Sequence, residues 1–131
     1  MTLIDVERLR TAGAPVVVVD PTRDPRARLE ALLGRCEYLP FGDPDSGAAV
    51  AIGKVEGRPV VAFATDPTIQ GGALGAAGCA AIVAAYRVAL DRRAPIIGVW
   101  YSGGARLAEG VASLDGVGRI FAAMTQASGL V

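Results

Sequence analysis

The stretch "YSGGARLAEG", residues 101–110, follows the apolar run "APIIGVW" and contains three glycines. Its amides are the first place to look for chemistry, because glycine lets a ligand approach the main chain and fixed N–H donors are a common way to hold an oxyanion. The sequence predicts a turn from strand to helix here, which would leave the amides of Gly103, Gly104 and Ala105 unpaired at a positive helix end. A tight turn that needs small residues only for packing explains the same pattern. Ser102 is expected to cap that helix, its hydroxyl accepting an amide proton near Ala105.

Side-chain catalysis has little to work with. The chain has no histidine, so serine–histidine and cysteine–histidine nucleophiles lack their usual proton acceptor. Neighbouring residues assemble no metal ligand set; Asp43 and Asp45 in "GDPDSG" lack the further carboxylates of a calcium loop and are expected in a solvated turn. Cys36 and Cys79 are far apart, outside any C-x-x-C spacing, and are expected as buried free thiols.

A second glycine segment, "QGGALGAAG", precedes a helix with Gly72, Gly75 and Gly78 three apart. It is not the G-x-G-x-x-G fingerprint and lacks the lysine of a phosphate-binding loop. Close helix packing is the alternative, and the two glycine segments could line one cleft. Arg106 and Glu109, three apart, are expected to form a surface pair or to bond another subunit. Trp100, at the end of the apolar run, is expected in the core, with a pocket wall as the alternative.

The elements that must position these residues follow from periodicity. "TLIDVERLR" has Leu3, Val6 and Leu9 at helical spacing, and "VVVV" suits a strand. "RARLEALLGR" predicts a short amphipathic helix ended by Gly34. "AAVAIGKV" and "RPVVAFATD", joined by "EG", predict a tight hairpin in which Gly57 supplies positive φ. "CAAIVAAYRVALDRR" predicts a helix with Ile82, Val83, Tyr86 and Leu90 on one face and arginines at its negative end. Pro95 ends it, and Ile96 to Trp100 are expected as a buried strand. Leu107, Val111, Leu114, Val117, Phe121 and Met124 predict a long helix from Arg106 to Ser128, with a break near Gly116 and Gly118. The whole alternates strand, glycine loop and helix: an α/β domain.

A length of 131 residues fits one domain. Thirteen basic and thirteen acidic residues cancel, so there is no broad positive field for nucleic acid or an anionic membrane. The uncharged run from Pro67 to Tyr86 is broken by glycines, Pro67 and Gln70, which suits a buried helix better than a membrane span. The N-terminus lacks the pattern of a secretory signal, and a cytoplasmic location is expected.

Two segments, "TDPTIQGGALGAAGCAAIVAAYRVAL" and "PIIGVWYSGGARLAEGVASLDGVGRIFAAMTQASG", resemble the carboxyltransferase β subunit of biotin-dependent acetyl- and propionyl-CoA carboxylases. The likeness extends from Asp24 through "SGAAVAIGKVEGRPVVAFATD" to the end, leaving residues 1–23 as an unplaced leader and 24–131 as part of the family's first domain. The resemblance implies a crotonase-like (ClpP/crotonase) β-β-α spiral, present in part. It implies acyl-CoA as substrate, biotin carried by a partner as donor of CO2, and no metal. By position, Gly103, Gly104 and Ala105 match the glycine turn that faces the thioester, and Gly71, Gly72 and Gly75 match a loop near the acyl-CoA.

Family members continue past the equivalent of "ASGLV" into a second oxyanion turn and a second domain that receives biotin. The chain is therefore expected to be inactive alone and to work with a biotin carboxylase or carrier subunit. With the strand after its last helix missing, it is also expected to form homo- or hetero-oligomers through uncovered apolar surface. A non-catalytic acyl-CoA-binding or assembly module is the alternative, and a nucleotide-binding α/β protein a more distant one.

Overall fold

A computed structural model describes residues 23–41 and 44–131. The expected leader helix, the "VVVV" strand and Asp43 lie outside the described residues.

The sequence between Asp24 and Gly34 folds as helix α1, Pro25–Leu33. Asp24 caps it by accepting the Arg26 amide, proline stands in its first turn, and Gly34 at φ 66° ends it. A short strand β1 (Glu37–Tyr38) precedes the hairpin β2 (Ala48–Val55) and β3 (Arg58–Thr65). The hairpin turns through Glu56 at φ 50° and Gly57 at φ 77°, the two positive values that a two-residue turn of this twist requires. Helix α2 (Ala76–Arg92) then crosses to β4 (Ile96–Val99), and helix α3 (Val111–Ala127) follows. The sheet order is β1-β2-β3-β4, antiparallel except for the parallel pair β3–β4 that the α2 crossover makes possible.

Alternation along β3 splits the core in two. Val60, Ala62 and Ala64 face Leu29 and Leu33 of α1, whereas Val61 and Phe63 face Ile82, Ala85, Tyr86 and Ala89 of α2. Phe63, wholly buried, anchors the second cluster, with Tyr86 and Trp100 against its ring. Helix α3 packs on α2 through small residues. A Cβ at Gly116 would stand 2.8 Å from the Cβ of Cys79, so glycine is what lets the helices come this close.

Four expectations need correction. The run Ile96 to Trp100 is an edge strand ending at Val99, half-buried because β3 is its only described neighbour; Trp100 is 45% exposed. The last helix starts at Val111 instead of Arg106, because Gly110, at φ 60° and ψ −133°, separates it from a 3-10 turn at Leu107–Glu109. It runs unbroken through Gly116 and Gly118, since the approach to α2 fixes Gly116 within helical geometry. Cys36 is only half-buried, while Cys79 is buried.

Much of the apolar period in and before α3 stays uncovered by this chain, although Val117 packs against the core. Ser113, Gly116, Ile120, Ala123 and Ala127 are buried, whereas Leu107, Val111, Leu114 and Phe121 are 62–94% exposed.

Candidate functional site

Past β4 the chain does not enter a helix. Residues 100–106 form a non-helical segment, turned at Gly104 (φ 97°), that pairs with the second glycine segment through one parallel bridge, Leu74 with Ala105. The Leu74 amide donates to the Gly104 carbonyl at 2.8 Å, and the Arg106 amide donates to the Leu74 carbonyl at 2.9 Å. Ser102 consequently caps no helix; its hydroxyl accepts the Gly104 amide at 3.1 Å, a local turn bond. The helix-end argument for Gly103, Gly104 and Ala105 is overturned with it. Among the described residues the amides of Gly103 and Ala105 donate to no carbonyl, so any attraction for an anion comes from individual N–H groups without a helix dipole behind them.

The two glycine segments do come together. A side chain on Gly72 would meet the Tyr101 carbonyl, and one on Gly103 would stand 2.9 Å from the Gly71 carbonyl oxygen. Gly71 and Gly104 face open space, both at positive φ. Thr65, at the end of β3 and wholly buried, ties down the start of the segment. Its hydroxyl accepts the Tyr101 amide at 2.6 Å and donates to the Tyr101 carbonyl at 2.9 Å.

Gly75 has another partner. Helix α2 begins one residue after it, and the Glu109 carboxylate accepts the Ala76 amide at 2.9 Å, occupying the space that a Gly75 side chain would need. This start of α2 thus holds an internal carboxylate.

Glu109 also lies 3.5 Å from Arg106, as the spacing suggested; the carboxylate is at the surface, but its partner is not. The Arg106 side chain is only 11% exposed, and its guanidinium donates to the carbonyls of Ala73 and Asp45, each at 3.0 Å. Ser113, buried at the start of α3, donates to the Arg106 carbonyl at 2.9 Å. Sequence reasoning missed the reach of both Glu109 and Thr65. The only signal for Glu109 was the lack of a capping side chain in "ALGAAG", which leaves α2 in need of a distant acceptor.

A cleft of about 470 Å³ opens against Gly104 and Ala105, within the size range of small-molecule sites. Leu74, Trp100 and Ser102 line one side, and Leu114, Phe121 and Met124 of α3 the other. Trp100 is therefore a pocket wall and not a core residue.

No side chain there suits covalent chemistry. Burial pushes the Cys79 thiol up, the nearby Glu109 carboxylate adds to this, and Arg106 opposes it, so a thiolate is disfavoured. Among the described residues no three histidine, cysteine or acidic side chains gather where a metal could bind, and no helix is long and apolar enough to cross a membrane. What the site offers is main-chain donors beside an apolar cleft.

The comparisons with known proteins agree in kind. The model of the carboxyl transferase domain matches residues 30–131. The propionyl-CoA carboxylase beta chain of Rhodococcus erythropolis is 47% identical over 125 residues, 92% of this chain and 26% of its own. The biotin-dependent acetyl-/propionyl-coenzyme A carboxylase beta6 subunit of Mycobacterium bovis is 49% identical over 126 residues, again 92% and 26%. Among solved structures, transcarboxylase 12S with methylmalonyl-coenzyme A bound, a hexamer, superposes with a TM-score of 0.74 at 28% identity, covering 95% of this chain and 26% of that one. The chain spans about a quarter of the length of the curated relatives it matches. The fold is the crotonase-like α/β arrangement of these neighbours, present in part.

Proposed function

The chain belongs to the carboxyl transferase domain family, and on that premise we propose that it supplies part of the acyl-CoA site of a biotin-dependent acyl-CoA carboxyltransferase. The observation that carries this reading is the pair of amides, Gly103 and Ala105, unbonded to any described carbonyl in the segment beside the apolar cleft.

In this reading the thioester of an acyl-CoA such as acetyl- or propionyl-CoA lies over Gly104, where an added Cβ would meet nothing within 4 Å. Amides directed at the thioester oxygen would stabilise the charge that develops there as the α-carbon gives up its proton, which the partner-borne biotin would accept once its carboxyl group has left. The Ser102 hydroxyl, already accepting the Gly104 amide, keeps its own proton to donate. Gly71 and Gly72 back the same segment, Gly72 against the Tyr101 carbonyl and the Gly71 carbonyl beside Gly103, and Gly75 keeps room for Glu109.

Biotin, bound on a partner, supplies the carboxyl group. The described residues fit only the acyl-CoA half, because the cleft is apolar and, of the two amides assigned to the thioester, that of Ala105 stands in its lining. Residues 24–131 are the part that does this, in company with a biotin carboxylase or carrier subunit and further carboxyltransferase chains, in the cytoplasm.

A second reading, an assembly module without catalysis, draws on the exposed apolar face of α3. Calorimetric titration with acetyl-CoA and propionyl-CoA, beside a Gly104→Val variant, separates the two. Loss of wild-type binding in the variant supports the acyl-CoA site. Equal binding, or none in either protein, favours the assembly module.

A further inference from the structure

The Arg106–Glu109 pair does more than a surface ion pair would. Arg106 bonds the carbonyl of Ala73 in the second glycine segment and that of Asp45 in the turn before β2. Its own amide and carbonyl are engaged by Leu74 and by Ser113 of α3. Glu109 reaches from the 3-10 turn after the first glycine segment to the start of α2. Every one of these bonds crosses between the segment carrying Gly103–Ala105 and an element against which that segment must be aligned, except the Arg106–Glu109 contact that links the two side chains and the bond to Ser113.

We propose that Arg106 and Glu109 are positioning residues that hold the Gly103 and Ala105 amides in the orientation from which they meet an acyl thioester oxygen. The inference rests on the acyl-CoA reading above and adds to it the residues that set the direction of the donors. Bonds to charged groups in partly buried surroundings are among the stronger ones, and a guanidinium fork fixes direction as well as distance. Because Arg106 directly follows Ala105, a shift of its backbone displaces the Ala105 amide.

The test compares affinity for propionyl-CoA with affinity for free coenzyme A, both by calorimetry on the 131-residue chain. The ratio of the two isolates the acyl thioester, and a purely structural role leaves it unchanged. Wild type should prefer propionyl-CoA. Arg106→Ala and Glu109→Ala should each lower that preference by about tenfold, a loss of about 1.4 kcal/mol, with coenzyme A binding retained.

Glu109→Gln keeps an oxygen for the Ala76 amide and Arg106→Lys keeps the charge, so each should give a partial loss. These two decide the matter if the alanine variants do not fold. Amide resonances of Gly103 and Ala105 should move in every folded variant. Folded variants with the full preference and unmoved resonances overturn the proposal. A wild type that binds coenzyme A and propionyl-CoA equally overturns the acyl-CoA reading itself, and the positioning role falls with it.

Discussion

One hydroxyl of Thr65 serves both main-chain groups of Tyr101, accepting its amide at 2.6 Å and donating to its carbonyl at 2.9 Å. The side chain thereby takes over from the β3–β4 ladder, whose last paired residues are Ala64 and Val99, and sets the path on which the chain leaves the sheet.

Thr65→Val keeps the shape and removes both bonds. It should destabilise the fold by about 1–3 kcal/mol, the cost of leaving a buried polar group unpaired, whereas Thr65→Ser should recover most of that. Urea melts of the three proteins measure the difference.

The two adjacent glycines of "QGG" should respond unequally to a methyl group. Gly71→Ala meets only positive φ, because open space surrounds the position, and should cost about 1–2 kcal/mol. Gly72→Ala adds a collision with the Tyr101 carbonyl, and should cost about 1–3 kcal/mol more. Chemical denaturation distinguishes them, and equal losses would mean that the contact between the two segments relaxes freely.

Tyr38 gives the fold an alkaline limit. Burial first, and then its bond to the Glu30 carboxylate at 2.9 Å, hold the phenol well above its ordinary value of 10.0. The unfolded chain then gives up this proton at lower pH than the folded one. The stabilisation is fully present below pH 10 and declines as pH rises from there toward the folded value. Tyr38→Phe should flatten this decline in thermal melts taken across that range. A residual slope should remain from Tyr86, whose phenol burial also pushes up.

The α3 wall of the cleft, open to solvent, should also make the chain associate. Leu114 is 64% and Phe121 62% exposed on the same helix, an apolar stripe of the kind that marks contact sites. Light scattering should show mass rising with concentration, and Phe121→Glu should lower it. Because the side chain is exposed, folding stability should change by less than about 0.5 kcal/mol. A monomer at all concentrations would refute the prediction.

Local signals in the sequence were enough wherever a few consecutive residues decide the structure. "EG" between two alternating runs specified the hairpin, and Gly34 marked the end of α1, because turns and caps depend on the residues at those positions. The long apolar period after Arg106 was also correct as a helix, but its partner was not deducible. Hydrophobic periodicity identifies a stripe without saying which molecule covers it, while the buried face of α3 has only Ile120 among Ser113, Gly116, Ala123 and Ala127, residues too small to stand out.

The site was legible in composition and not in construction. "YSGGAR" next to "APIIGVW" resembles a strand-to-helix turn, and the bridge between Leu74 and Ala105 turned it instead into a non-helical segment. That pairing, like the reach of Glu109 to Ala76 across 33 positions, depends on tertiary placement that no local pattern encodes.

The Leu74–Ala105 bridge has a mechanical consequence. With carbonyls and amides interlocked on both sides of Leu74, neither glycine segment has a separate degree of freedom at that rung. A displacement of one is passed to the other through those two bonds, so the wall of the cleft that Leu74 and Gly104 share yields to pressure as one lever.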